Sequence, residues 1–207
     1  MRDPVKERAS FAAKRDFDML PRSAEIDVQP ARQSELSAIA EMGNRMVPGV
    51  QITERDLERY FAFDPDSILT FGRKQKLLGA VAFLYLNGRG HDALILNKMN
   101  LNHPDFELLA ARSDQVSAIY VWAIAGHGKA MAGLGNVSKH LSEPRLAPAD
   151  LYAQPSSADG RNLMIAIGFE PIPSSQHELW RYQRPWNRRL SDAQAVTSAG
   201  SVADARH

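Results

Sequence analysis

Two glycines that flank a histidine, Gly126-His127-Gly128, stand where an apolar stretch gives way to a helical pattern. Residues 116–125 are almost continuously apolar and rich in β-branched and aromatic side chains, which is typical of a strand buried on both faces. The first turn of a helix has unpaired N–H groups and partial positive charge, and glycines let a ligand approach the backbone closely. This succession therefore predicts a phosphate-binding turn. After the glycines, apolar residues recur at steps of three and four and predict one face of the helix: Ala130, Met131, Leu134, Val137 and Leu141.

Two well-known glycine loops fit this turn poorly. A nucleoside-triphosphate loop requires Gly, four residues, Gly-Lys and then Ser or Thr. Aligned on Gly128-Lys129, this chain has Ala123 in place of the first glycine and Ala130 in place of the Ser or Thr. The first glycine and the metal-binding hydroxyl are therefore missing. A dinucleotide loop requires a third glycine or alanine, and Met131 occupies that place. A tight strand-to-helix turn that binds no ligand remains an alternative.

The segment 123–128, with the sequence AIAGHG, resembles the acyl-CoA binding motif of the GNAT superfamily of N-acetyltransferases, Gln/Arg-x-x-Gly-x-Gly/Ala. Both glycines match, whereas Ala123 replaces the leading Gln or Arg. The following order of elements is similar too, because a short strand at 149–154 and a helix at 156–167 precede Gly168-Phe169. Gly168 stands where a helix C-cap is expected. The resemblance extends over about residues 25–184.

The patterns along the chain predict an α/β fold of mixed α+β type, with a central sheet of about six to seven strands flanked by helices. Its N-terminal part is expected to be an antiparallel meander, and the resemblance implies a parallel strand pair around a cofactor cleft. Strands are predicted at 25–31, 67–71, 77–86 and 179–183, and the Asn87-Gly88 pair predicts a hairpin turn into a further antiparallel strand at 92–97. Helices are predicted at 34–46 and at 106–112. A further helix is predicted to begin after Thr53, which is a suitable N-cap because an acidic residue, Asp56, follows three positions later.

The length of 207 residues suits one domain. We expect a charged N-terminal arm at 1–23, a GNAT-like domain at 24–186 and a disordered tail at 187–207, which is rich in Ser, Ala and Asp. The first twenty residues are charged throughout, so they do not resemble a signal peptide, and no apolar run is long enough to span a bilayer. A cytoplasmic location is the expectation.

The composition excludes several classes of site. Basic and acidic residues nearly balance, at 25 and 24, which argues against a nucleic-acid partner held by a basic face. The chain has no cysteine, so disulfides, thiolate metal ligands and cysteine nucleophiles are excluded. None of the six histidines belongs to a helical ligand pair, and we expect no metal.

The resemblance implies transfer of an acetyl or other acyl group from acetyl-CoA, or another acyl-CoA, to a small-molecule or protein amine. It also implies which parts of this chain bind the cofactor, chiefly through the backbone, with Lys129 adding charge near the diphosphate. Whether the chain is a monomer or a homodimer is left open. The implied pantetheine contacts are the main chain at Trp122, Ala123 and Ile124, and the implied pyrophosphate contacts are the N–H groups of Gly126, His127, Gly128, Lys129 and Ala130.

The side chains that the family uses for chemistry are mostly absent. The tyrosine that often protonates the departing thiolate corresponds to Met164, and the frequent asparagine corresponds to about Ser156. The family's general base is often a carboxylate on or beside its fourth strand, and residues 116–125, which correspond to that strand, contain none. Tyr152 is a candidate proton donor for the thiol, whereas Tyr120 is expected to pack in the core. These departures support an alternative, a GNAT-fold CoA-binding or regulatory protein without catalytic activity.

The acceptor pocket is expected to involve the predicted 106–112 helix and the segment 46–53.

Overall fold

The computed structural model describes residues 16–49, 51–126, 128–185 and 187. Its strands are β1 (Asp27–Pro30), β2 (Ile68–Arg73), β3 (Lys76–Leu86), β4 (Ala118–Gly126), β5 (Asp150–Ala153), β6 (Glu170–Pro171) and β7 (Trp180–Tyr182). Its α-helices are α1 (Leu36–Met46), α2 (Glu54–Phe63), α3 (Gly88–Ile95), α4 (Leu134–His140) and α5 (Ala158–Ala166). Short 3-10 helices cover Phe17–Met19, Gln33–Glu35, Pro65–Ser67, Phe106–Leu108 and Gly128–Gly133.

The strands form one mixed sheet in the order β1-β2-β3-β4-β5-β7-β6. The pairs β1–β2, β2–β3 and β3–β4 are antiparallel, and β4–β5 is parallel. Antiparallel pairing returns on the far side of β5, through β7 to β6. The predicted fold class is therefore confirmed: a mixed α/β domain with a seven-stranded sheet flanked by helices.

The parallel pair β4–β5 is short, and this shortness leaves a gap between the two strands. β5 pairs with β4 only from Ala118↔Asp150 to Tyr120↔Tyr152, whereas β4 continues beside β3 as far as Gly126. The register between β3 and β4 shifts between Ala82 and Phe83. Since Phe83 is opposite Val121 and Ala82 is opposite Ala123, Trp122 is the extra residue of a β-bulge on β4.

Apolar side chains cover both faces of the sheet. On one face, Phe71, Phe83 and Ile119 pack against residues of α4 and α5. On the other, Leu84, Tyr120 and Tyr152 pack with Tyr60 of α2 and Leu94 of α3. Because β4 is covered on both faces, its almost continuous apolar sequence matches its position.

Several helix ends have the sequence signals that predicted them. The Thr53 hydroxyl accepts a hydrogen bond from the backbone N–H of Asp56, whose carboxylate accepts one in return from the N–H of Thr53. The predicted cap of α2 is thus a complete capping box. Gly168 follows α5 with a φ of 94°, a left-handed conformation that favours glycine, so the predicted C-terminal glycine is confirmed.

The prediction of a hairpin turn at Asn87-Gly88 and a strand at 92–97 is wrong, because Asn87 is the N-cap of α3 and this helix runs from Gly88 to Ile95. The Asn87 side chain caps this helix by accepting a hydrogen bond from the N–H of Gly90, and its amide group donates to the carbonyl oxygens of Glu107 and Leu109. A Cβ atom on Gly90 would lie 2.0 Å from the carbonyl oxygen of Leu108, so only glycine permits this packing.

Two other helix predictions need correction. The predicted helix at 106–112 is only the 3-10 turn Phe106–Leu108, because Leu109 then forms a β-bridge with Leu86. The helix predicted directly after the glycine turn begins as the 3-10 helix Gly128–Gly133, and the α-helical hydrogen-bonding pattern starts at α4.

The predicted arm at 1–23 and tail at 187–207 fall largely outside the described residues. In the described part of the arm, Phe17 is buried and Asp18 forms an ion pair of 2.6 Å with Arg184. The amide of Asn187 donates hydrogen bonds to Asp150 and to the carbonyl of Pro148. The division of the chain into arm, domain and tail stays a prediction.

Candidate functional site

A cleft of about 890 Å³ lies where β4 and β5 separate. It extends from the last paired residue of β4, Tyr120, to the glycine turn, and α5 forms one of its walls. Part of the segment expected to shape the acceptor pocket lines the cleft too, namely Met46 at the end of α1 and the residues after it, Val47, Pro48 and Gly49. The 106–112 segment does not contribute, and Leu101 and Asn102 line the cleft instead.

The glycine turn has the backbone conformations that its composition predicts. Gly126 has a φ of 156°, and a Cβ atom there would lie 3.3 Å from both the Cβ of Ala130 and the Cα of Gly79. Gly128 has a φ of 60°, and a Cβ atom there would meet nothing within 4 Å. Because Gly128 is exposed and lines the cleft, the turn presents open backbone to any ligand at this end. His127 and the side chain of Lys129 lie outside the described residues.

Trp122 is fixed at the bulge by its side chain. The indole Nε1 donates a hydrogen bond of 2.7 Å to the carbonyl oxygen of Leu101, and the ring packs edge-on against Tyr60 at a centroid distance of 4.9 Å. Trp122, Ala123 and Ile124 all line the cleft. They lie beyond the last β4 residue that pairs with β5, so their main chain borders the gap between the strands. The structure thus brings together the β4 residues predicted to contact pantetheine, and the contact itself stays a prediction.

Tyr152 lies directly opposite Tyr120 but is not among the residues that line the cleft. Its hydroxyl forms a hydrogen bond of 2.9 Å with Nε2 of His91 on α3. Burial raises the pKa of Tyr152 and lowers the pKa of His91, so both groups are held neutral. The structure therefore directs this hydroxyl towards α3, and its role as a thiol proton donor stays a prediction.

Tyr120, which the sequence indicated as core packing, is buried and lines the cleft. Its hydroxyl donates a hydrogen bond of 3.0 Å to Oε1 of Gln154, and Nε2 of Gln154 donates to the carbonyl oxygen of His177. Burial raises the pKa of Tyr120. Sequence reasoning missed Gln154, although its place as the last residue of the strand predicted at 149–154 was a usable signal.

Two acidic side chains are among the described residues that line the cleft. Asp159 and Glu178 line it, and Glu178 accepts hydrogen bonds of 2.7 and 2.9 Å from Nη2 of Arg161. The hydrogen bond from Arg161 holds the pKa of Glu178 below its usual value. Glu178 also has a φ of 50°, which is uncommon for a residue other than glycine.

The described residues contain neither a cluster suited to a metal ion nor a membrane-spanning helix. Nowhere in this part of the chain do three or more His, Cys, Asp or Glu side chains lie close enough together to hold a metal ion. No helix in the same part is both long enough and apolar enough to cross a membrane.

No family model matches the chain, and no curated protein sequence is similar to it. Several solved structures are similar to this chain in fold. The GNAT-like decarboxylase GphF, solved with isobutyryl-CoA, has 13% identity and a TM-score of 0.46, and the match covers 61% of this chain and 64% of that one. A histone-acetyltransferase-related acetyltransferase from Corynebacterium glutamicum has 15% identity and a TM-score of 0.42, with 78% and 97% covered. The Salmonella typhimurium protein yncA, solved with its cofactor acetyl-CoA, has 10% identity and a TM-score of 0.46, with 77% and 94% covered.

The strand order, the short parallel pair β4–β5 and the glycine turn after β4 agree with the element order that the sequence resemblance implied. The fold is GNAT-like. Met164 on α5, which the sequence resemblance aligned with the family's frequent tyrosine, is buried and lines the cleft. A thioether has no proton to donate, so Met164 contributes only apolar surface. Ser156, which the resemblance aligned with about the place of the frequent asparagine, also lines the cleft.

Proposed function

We propose that this chain binds an acyl-CoA, acetyl-CoA being the simplest, and transfers its acyl group to a small-molecule or protein amine. The observation that carries the proposal is the gap between β4 and β5, which opens after Tyr120 and Tyr152 and leads to the glycine turn. A narrow gap between strand edges suits an extended chain with amide groups, and an exposed glycine backbone suits a phosphate.

In this proposal the ligand is bound mainly by backbone groups. The main chain at Trp122, Ala123 and Ile124 pairs with the amides of pantetheine along the edge of β4. The pyrophosphate lies over Gly128, where a Cβ atom would meet nothing within 4 Å. A site built from backbone does not depend on the Gln or Arg that Ala123 replaces. The N–H groups assigned to the pyrophosphate are those of Gly126, His127, Gly128, Lys129 and Ala130, with additional charge from Lys129.

Acyl transfer requires an unprotonated amine, a polarised thioester carbonyl and a proton for the departing thiolate. In this scheme a backbone N–H of β4, at the point where β4 and β5 separate, polarises the thioester carbonyl. The hydroxyl of Tyr152, the candidate proton donor, is bonded to His91, so we assign protonation of the thiolate to water. The β4 residues carry no carboxylate, and we name no side chain as general base.

The test is calorimetric titration of the native protein and two Gly128 variants with acetyl-CoA. Gly128→Glu adds a carboxylate where the pyrophosphate is proposed to lie. Gly128→Asn is the matched control, because asparagine tolerates the left-handed conformation and adds no charge. We expect binding by the native protein, reduced binding by the Asn variant and no measurable binding by the Glu variant. Absence of binding by the native protein, or equal binding by all three, would contradict the proposal.

The second candidate is a CoA-binding protein without catalysis, and the observation that favours it is the apolar Met164 in the wall of the cleft. The two candidates differ in thiol release. If the protein is a transferase, acetyl-CoA is expected to release CoA faster in its presence than in buffer alone, either by slow hydrolysis or by transfer of the acetyl group to an added amine. Binding without any acceleration of thiol release would support the second candidate.

A further inference from the structure

Two polar side chains span the point at which β4 and β5 separate. Tyr120 is the last β4 residue paired with β5, and Gln154 is the first residue after the end of β5. The hydroxyl of Tyr120 lies 3.0 Å from Oε1 of Gln154, and Nε2 of Gln154 is hydrogen-bonded to the carbonyl oxygen of His177. Both side chains line the cleft.

The direction of these hydrogen bonds follows from the groups involved. The carbonyl of His177 can only accept, so the amide nitrogen of Gln154 must face it and the amide oxygen must face Tyr120. That oxygen also only accepts, so the phenol proton of Tyr120 is donated to Gln154. The remaining lone pair of the phenol oxygen is then available as an acceptor. Because burial raises the pKa of Tyr120, the group keeps its proton at neutral pH.

The position of Tyr120 indicates which part of a ligand it meets. Tyr120 packs on the sheet face that is covered by α2 and α3. The 3-10 helix that follows the glycine turn packs on the opposite face, through Ala130. A ligand with its phosphates at the turn, extending through the gap, therefore presents its reactive end on the side of Tyr120. Trp122 packs on the same face as Tyr120, and together with Met46 and Val47 it gives the cleft apolar surface.

We infer that Tyr120 accepts a hydrogen bond from the N–H of the attacking amine and so positions the nitrogen, with Gln154 fixing the direction of the phenol. This inference rests on the proposed function. In the step, the nitrogen lone pair attacks the thioester carbon, the C–N bond forms, the C–S bond breaks and CoA leaves as a thiolate. The nitrogen then releases a proton to water, and the thiolate takes one from water. Tyr120 keeps its own proton throughout.

The test uses hydroxylamine, a nitrogen nucleophile that is largely unprotonated at neutral pH, with acetyl-CoA; the products are acetohydroxamate and CoA, and thiol release measures the rate. Tyr120→Phe is expected to raise the KM for hydroxylamine roughly three- to tenfold, as expected for the loss of one neutral hydrogen bond. Its kcat and its calorimetric Kd for acetyl-CoA are expected to stay within about twofold of the native values, on the same reasoning. Tyr85→Phe, which removes a buried hydroxyl bonded to the carbonyl of Asp66, is the matched control and is expected to change none of these.

A second variant tests the role of Gln154. Gln154→Leu removes the acceptor of the phenol proton and is expected to raise the same KM, by less than Tyr120→Phe. Circular dichroism of each variant establishes that it is folded. Two results would overturn the inference and leave the proposed function standing: unchanged kinetics in Tyr120→Phe, or a fall in kcat at constant KM, as expected of a proton donor. Failure of the native protein to bind acetyl-CoA, or to release thiol once it is bound, would instead overturn the proposed function and this inference with it.

Discussion

Replacing Arg145 by methionine is expected to lower the free energy of unfolding by roughly 3 kcal/mol. Nη1 of Arg145 lies 2.7 Å from Oδ2 of Asp64, a carboxylate that is only 2% exposed, and the guanidinium also lies over the ring of Tyr85. The substitution leaves a buried carboxylate without its charge partner, which typically costs about 3–5 kcal/mol. We take the lower end because the Arg145 side chain is 20% exposed.

The chain offers a matched control on neighbouring residues. Arg112 and Asp66 form an ion pair of 3.0 Å whose side chains are 65% and 28% exposed, so Arg112→Met is expected to cost about 0–1 kcal/mol. Urea unfolding of both variants at one ionic strength measures the two differences. In an Asp64→Asn background, Arg145→Met is expected to lower the free energy of unfolding by less than in the native chain, because the charge that Arg145 pairs with is already absent. Equal losses of under about 1 kcal/mol for Arg145→Met and Arg112→Met would refute the argument from burial.

Two further predictions concern α3. Because burial lowers the pKa of His91 below its unfolded value, its contribution to stability is complete above about pH 6.5 and is lost as the pH falls. The native protein should therefore lose more unfolding free energy than His91→Gln between neutral and acid pH in urea titrations, and parallel losses would contradict this assignment. Gly90→Ala should destabilise by about 1–3 kcal/mol or prevent folding, because its Cβ would lie 2.0 Å from the carbonyl oxygen of Leu108. Gly88→Ala is the control, since its nearest neighbour is 3.9 Å away, and equal melting temperatures for the two variants would refute the steric argument.

Features decided by short stretches of sequence were predictable. The apolar run of β4, the glycine turn after it and the capping box at Thr53 each depend on neighbouring residues, and the structure has each where the sequence indicated. Gly168 has positive φ for the same local reason, because a left-handed residue after a helix favours glycine.

The error at Asn87 illustrates why other features were not predictable. An Asn-Gly pair suits a hairpin turn, but asparagine is also a good helix cap, and the local sequence does not distinguish the two. The choice is made by contacts about twenty residues away along the chain, where the Asn87 amide donates to the carbonyls of Glu107 and Leu109. The close approach of Gly90 to Leu108 has the same origin.

The sequence by itself determined the buried strand, the glycine turn and the order of the elements that follow them, because apolar periodicity and backbone preference act between near neighbours. Only the tertiary structure decided the chemistry at the gap. Strand register sets where β4 and β5 part and leaves Trp122 in a bulge. The same register puts Tyr120 and Tyr152 side by side, yet their hydroxyls bond to Gln154 and His91 respectively. Those partners come from other elements, so their positions depend on the packing of the whole sheet and not on the spacing of residues along the chain.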